Sequence, residues 1–170
     1  MKKIFFSFIC LIGFVSIGLL GSEVQASSTI PNSYYHIRPV SNKDIFVNNS
    51  NFSLTDTYKD FNKYKVDYLD FTDGYIFYSQ WGHGPVSWTG KQGLGNLVFA
   101  ETNNLNNSNL WTIDKVPGRE NQYFIRSKQD PGMVWDVHNG NASVGGKIKL
   151  ERQHPENSPQ REFQYFMFTE

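Results

Sequence analysis

Three segments of this chain repeat one four-part pattern, and that repetition limits the available folds more than any other feature. Each segment opens on a run rich in aromatic and aliphatic residues: Tyr35-His36-Ile37-Arg38, Tyr75-Ile76-Phe77-Tyr78 and Tyr123-Phe124-Ile125-Arg126, with starts 40 and 48 residues apart. A second run follows about ten residues later, as Asp44-Ile45-Phe46-Val47, Pro85-Val86-Ser87-Trp88 and Met133-Val134-Trp135-Asp136-Val137. The third runs are Phe52-Ser53-Leu54, Leu97-Val98-Phe99 and Ile148-Lys149-Leu150, spaced by 45 and 51. The fourth pair an aromatic with an apolar residue two places on: Tyr64-Lys65-Val66, Trp111-Thr112-Ile113 and Phe163-Gln164-Tyr165, spaced by 47 and 52. A four-strand unit cannot bury its apolar face alone, so three units must close around one core, which also removes exposed sheet edges. The pattern therefore predicts twelve short strands in a three-lobed barrel, with repeats near residues 32–72, 73–119 and 120–170.

Composition agrees with an all-β reading. Phe 14, Tyr 9 and Trp 4 bring aromatics to 16%, and asparagines cluster, as at Asn103-Asn104-Leu105-Asn106-Asn107. Aromatic residues favour strands and asparagines favour the turns between them. No stretch beyond the first residues keeps helical apolar spacing for more than about two turns. A length of 170 residues suits one domain.

The first 26 residues differ from the rest. Lys2 and Lys3 precede an apolar run from Ile4 to Leu20, and Val24 and Ala26 stand where a signal peptidase reads small residues. These features predict a secretory signal peptide cut after Ala26, a mature chain from Ser27, and a frayed polar segment from Ser27 to Asn32. The run is short for a membrane span, and no span is expected in the mature chain. Cleavage removes Cys10, the single cysteine, so the mature chain would hold no disulfide. It also takes two of 16 basic and one of 16 acidic residues, leaving 14 against 15. That balance excludes a basic nucleic-acid binder. A lipid anchor at Cys10 is disfavoured, because the residue sits inside the apolar run without a leucine three places before it.

The third segment resembles a known family. Gly132-Met133-Val134-Trp135-Asp136-Val137-His138-Asn139-Gly140-Asn141, followed by Gly145-Gly146-Lys147-Ile148-Lys149-Leu150, is similar to the repeat of the ricin B-type β-trefoil lectins. There a Leu-Asp-Val strand leads through a Gly/Asn turn to a Gly-x-x-Val-x-Leu strand, and the repeat closes on Gln-x-Trp. Asn109-Leu110-Trp111 is near that closing motif, Asn62-Lys63-Tyr64 is looser, and Arg161-Glu162-Phe163, just after Gln160, is looser still. The resemblance implies a β-trefoil and a shallow sugar site in the third repeat. Asp136 would accept hydrogen bonds from paired hydroxyls, with Asn139 in the adjoining turn. An aromatic platform is due one residue after Leu150, but Glu151 stands there, so His154 would take that place. Asn157 and Gln160 would supply the amide, and Lys149 falls where the family often carries a glutamine. The other reading of Asp136 is a turn residue that bonds its own backbone near Asn139-Gly140. The first two repeats have no aspartate at the matching place and read as structural.

Trp81 and Trp88 flank the glycine-rich stretch Gln80-Trp81-Gly82-His83-Gly84-Pro85 and are candidates for sugar stacking or a partner contact, or else for packing; Trp111 and Trp135 read as core. Catalysis is not expected. His36, His83, His138 and His154 are scattered without a zinc-binding spacing, no Gly-x-Ser-x-Gly elbow occurs, and no phosphate-binding glycine loop precedes a helix. Acidic pairs such as Asp67/Asp70 and Glu151/Glu156 read as solvated turn charges. No metal or cofactor is implied. The resemblance implies a secreted carbohydrate-binding protein for cell-surface glycans or polysaccharide, resembling the receptor-binding component of a toxin or adhesin system that works with other protein subunits. The leader fits a bacterial source. The alternative, of a different class, is a protein-interaction or inhibitor scaffold with a vestigial sugar site. Asn48, Asn51, Asn106 and Asn141 head Asn-x-Ser triplets, acceptors for glycosylation in a eukaryotic secretory path.

Overall fold

The computed structural model describes residues 30–58, 62–101 and 104–170. The expected leader and its cleavage point lie outside the described residues. Twelve strands are found among those described: β1 (Ser33–Pro39), β2 (Phe46–Val47), β3 (Leu54–Thr55), β4 (Tyr64–Leu69), β5 (Gly74–Ser79), β6 (Val86–Trp88), β7 (Leu97–Phe99), β8 (Trp111–Lys115), β9 (Tyr123–Ser127), β10 (Met133–Val137), β11 (Ile148–Arg152) and β12 (Phe166–Thr169). The first and last strands of each repeat run in the order β12-β1-β4-β5-β8-β9, and β9 pairs back onto β12, so six strands close into a barrel without a free edge. The second and third strands form three hairpins, β2–β3, β6–β7 and β10–β11. This is a β-trefoil.

Strand alternation fills the barrel in layers. Ile37, Phe77 and Ile125 point inward from the opening strands, and Tyr64, Trp111 and Phe166 from the closing strands; all six are inaccessible to solvent. Trp135 is the hub. Its ring centroid lies 6.4 Å from Phe52, 6.3 Å from Tyr64, 5.8 Å from Phe77, 5.9 Å from Trp111 and 6.0 Å from Phe166, mostly in edge-to-face contact. Such contacts add to the burial of an already large apolar surface.

Two expectations need correction. The closing strand of the third repeat is not Phe163-Gln164-Tyr165 but β12, three residues later. Residues Pro159–Gln164 form a 3-10 helix, started by a proline whose φ suits that position and capped by the Ser158 side chain, which accepts from Gln160 N. The closing triplets are therefore Asn62-Lys63-Tyr64, Asn109-Leu110-Trp111 and Gln164-Tyr165-Phe166, each with a buried amide two residues before a fully buried ring. Every amide holds the loop ahead of its strand: Asn62 Nδ2 donates to Thr57 O, Asn109 Nδ2 to Asn104 O and Gln164 Nε2 to Arg152 O, at 3.2, 2.9 and 3.0 Å. The segment before β1 is also docked rather than frayed over Ile30–Asn32. Ile30 is buried, its carbonyl accepts from Tyr75 Oη at 3.3 Å, and Asn32 Oδ1 accepts from Tyr68 N at 2.7 Å.

The four Asn-x-Ser triplets are turn devices. In each, the asparagine Oδ1 accepts from the serine hydroxyl two residues on, bracing a hairpin turn or a loop.

Candidate functional site

Asp136 is the penultimate residue of β10 and faces away from Trp135 and Val137, which lie in the core. It stands opposite Lys149 of β11. Although on the outer face, it is 4% exposed, because the loop after β11 and the 3-10 helix Pro159–Gln164 fold over it. That loop is fixed from both sides: Gln164 Oε1 accepts from His154 N at 2.9 Å, and Arg161 donates to His154 O at 2.6 Å. His154 Nε2 comes within 3.7 Å of the Asp136 carboxylate.

Burial raises the Asp136 carboxyl above its ordinary range, while the Gln164 amide and the positive charge of Lys149 pull the other way. Lys149 does not give its charge to Asp136 alone; its Nζ hydrogen-bonds Glu151, whose carboxyl that bond holds below its ordinary value. The carboxylate stands at the floor of an open cleft of about 460 Å³, with burial the dominant influence on it.

Asp136, Asn139, Lys149, His154 and Gln160 all line this cleft, as the sequence reading expected. Asn157 does not; it sits in an exposed turn closed by the Ser158 N to Pro155 O bond. Asp136 is a strand residue paired across a hairpin, which replaces the turn-residue reading. The aromatic wall is Phe163, which sequence reasoning had placed in the barrel. Its half-buried ring lies over Gly140: a Cβ there would meet ring carbons at 2.6 and 2.7 Å, and φ is +66°. The signal that could have found it was the amide of Gln164, which moves the closing triplet past Phe163.

The hairpin register identifies the counterparts of Asp136 in the other repeats as Phe46, opposite Thr55, and Ser87, opposite Val98. Both are buried, and the rings of His36 and Tyr58 lie 4.9 and 6.2 Å from Phe46. Neither position offers a carboxylate. Trp88 belongs to the core and donates its Nε1 proton to Lys91 O at 2.8 Å, which removes it as a stacking or partner residue. Trp81 is 54% exposed. Among the described residues, no group of three or more His, Cys, Asp or Glu is placed to hold a metal, and no helix is long and apolar enough to cross a membrane.

No protein-family model matches the chain, and no curated protein matches it in sequence. Solved structures do. A mosquitocidal holotoxin is 20% identical at a TM-score of 0.66 over 82% of this chain, which spans 17% of the holotoxin's length. A ricin B-like lectin of Macrolepiota procera, solved with lactose, is 14% identical at 0.64, covering 84% of this chain and 98% of the lectin. A proteinase inhibitor from Coprinopsis cinerea is 19% identical at 0.60, covering 83% and 99%. At such identities the likeness establishes architecture, and the chain is a β-trefoil of the kind found in ricin B-like lectins.

Proposed function

We propose that the protein is a secreted glycan-binding module without catalytic activity, and that the Asp136 cleft is its sugar site. The observation that carries this reading is a buried carboxylate at the floor of an open cleft, beside a half-buried aromatic ring. An ionised carboxylate accepts two hydroxyl protons in bonds stronger than neutral ones. The face of Phe163 suits the C–H side of a pyranose, and the amides of Asn139 and Gln160 supply the remaining donors and acceptors. One shallow site binds modestly, so firm attachment needs several copies or a larger assembly. The lectin and toxin likenesses support a role in attaching to cell-surface glycans or polysaccharide, as the receptor-binding component of a toxin or adhesin system with other subunits.

Acidity tests the role of the carboxylate. Because burial raises the Asp136 pKa, its hydrogen-bond acceptor is lost on acidification at a higher pH than for an ordinary aspartate. Titrations of the bound sugar between pH 7 and pH 4 are expected to show affinity falling above the usual aspartate range of about 3.9. Affinity that stays constant down to about pH 4 would contradict the assignment. Lys149, Glu151 and His154 also face the site, so the Asp136→Asn protein serves as the reference for their contribution. The secretory reading has its own check: the exported protein is expected to begin at Ser27, and an intact N-terminus after export would overturn the leader assignment.

The second reading, a protein-interaction or inhibitor scaffold, is favoured by the likeness to the proteinase inhibitor and by the exposure of Trp81. Free sugar distinguishes the two, since it competes with a glycan ligand and leaves a protein contact intact.

A further inference from the structure

We infer that Glu151 sets the ligand class of the Asp136 cleft by drawing Lys149 aside, so that the site takes a hexosamine with a free amine in preference to a neutral or acidic sugar. The inference rests on the sugar reading of the cleft given above and adds to it the charge of the ligand.

The residues lining the cleft carry two carboxylates, Asp136 and Glu151, one ammonium, Lys149, and one imidazole, His154. With the imidazole neutral, two negative charges stand against one positive. The two arginines that follow these residues in the chain are engaged elsewhere. Arg152 bonds Asp130 at 3.0 Å, while Arg161 donates to His154 O and lies 5.1 Å over the Phe124 ring. The charges that act on Asp136 are those of Lys149, His154 and Glu151.

The geometry decides where the single ammonium goes. Lys149 faces Asp136 across the β10–β11 hairpin, yet its Nζ bonds Glu151 Oε2 at 2.5 Å, two residues along β11 on the same face of the strand. Lys149 therefore acts on Asp136 through its charge alone, and the hydrogen bond goes to Glu151. Glu151 Oε1 accepts from Arg152 N at 3.2 Å, which anchors the carboxylate on its strand, and the Lys149 bond keeps it ionised. His154 Nε2, 3.7 Å from Asp136, closes the other side. Opposite stands the ring of Phe163, fixed over Gly140.

A pyranose laid on that ring presents its substituents to the carboxylates. An ammonium among them donates charge-assisted bonds and cancels the remaining negative charge. A hydroxyl leaves that charge in place in a partly desolvated site, and a sugar carboxylate or sulfate adds a second one. The cleft is thus matched to a cationic sugar by charge as well as by its ring wall.

An array of hexoses, hexosamines with free amines, N-acetylhexosamines and uronic acids, titrated at pH 7 with the multimerised protein, tests the inference. The parent is expected to bind a free-amine sugar about tenfold or more tighter than its hydroxyl and N-acetyl counterparts. In Glu151→Gln, Lys149 is released towards Asp136, and the amine-to-hydroxyl ratio is expected to fall to about one. Removing that ammonium as well, in the Glu151→Gln/Lys149→Met protein, is expected to restore the preference, a recovery that a merely structural role for Glu151 would not produce. Asp136→Asn is expected to abolish it, which separates the cleft from general attraction of amines to the surface. Equal binding of amine and hydroxyl sugars by the parent, a preference for N-acetyl or acidic sugars, an unchanged ratio in Glu151→Gln, or amine binding that survives in Asp136→Asn would overturn this inference. Where the parent still binds sugar through Asp136, the site proposed above stands without it; silence of the folded parent towards every sugar would overturn both.

Discussion

Replacing Asp136 by alanine is expected to weaken sugar binding at the third-repeat cleft by about 100-fold or more, while the melting temperature at neutral pH holds or rises. The loss follows from two charge-assisted hydrogen bonds, each worth roughly 1.5–3 kcal/mol, against about 1.4 kcal/mol per factor of ten. The stability effect runs the other way. Burial raises the folded-state pKa of Asp136, so the folded protein holds that proton more tightly than the unfolded chain does. Its contribution to stability is fully present below the unfolded pKa and is lost as pH rises through the raised folded value. At neutral pH the ionised group therefore works against folding, and Asp136→Ala or Asp136→Asn removes that penalty. Lys149 keeps Glu151, and Gln164 keeps Arg152 O and His154 N, while the Gln164 amide and His154 lose their contact with Asp136, which offsets part of that gain. Calorimetric titration with a bound sugar and thermal melting of the same proteins check both halves. A variant that binds as before, or one that melts more than a few degrees lower, would mark Asp136 as structural.

Trp135→Ala is expected to produce the largest loss of stability, about 3–5 kcal/mol. The indole fills the centre of the barrel and touches rings from all three repeats: Phe52 and Tyr64 from the first, Phe77 and Trp111 from the second, Phe166 from the third. None of these can collapse into the gap without breaking the closure of its strands, so the cavity persists. Domains of this size have about 5–15 kcal/mol in all, and a loss this large lowers the melting temperature by roughly 10 °C. Urea unfolding of Trp135→Ala beside Trp81→Ala separates hub from surface, since the exposed Trp81 is expected to matter by no more than about 0.5 kcal/mol. A loss below about 1 kcal/mol for Trp135→Ala would mean that the barrel is not built around this residue.

The parts of the fold set by local alternation were legible in the sequence. Tyr35, Tyr75 and Tyr123 each lie in the opening strand of a repeat, and Met133–Val137 pairs with Ile148–Arg152 as a hairpin around the expected turn. The closing strand of the third repeat was misplaced because Phe163 and Tyr165 imitate strand alternation. The competing signals were local: Ser158 and Pro159 start a helical turn, and Gln164, not Gln160, carries the amide that grips the loop. The same shift hid the aromatic wall of the cleft, since a ring assigned to the barrel is not sought at the surface. Trp81 and Trp88 flank one glycine-rich stretch and looked equivalent; tertiary closure separates them, burying Trp88 on β6 and leaving Trp81 on a turn. Asn157, three residues from Gln160, was grouped with it by proximity in sequence, but the turn at Pro155–Ser158 leaves it outside the cleft.

Sugar recognition by the Asp136 cleft is tested by a glycan array with the multimerised protein beside its Asp136→Asn variant, which keeps side-chain shape and removes the charge. The parent is expected to bind a defined set of glycans, displaced by free monosaccharide, with a substantial part of that set lost in the variant. Identical profiles for the two folded proteins, or silence from both, would contradict it.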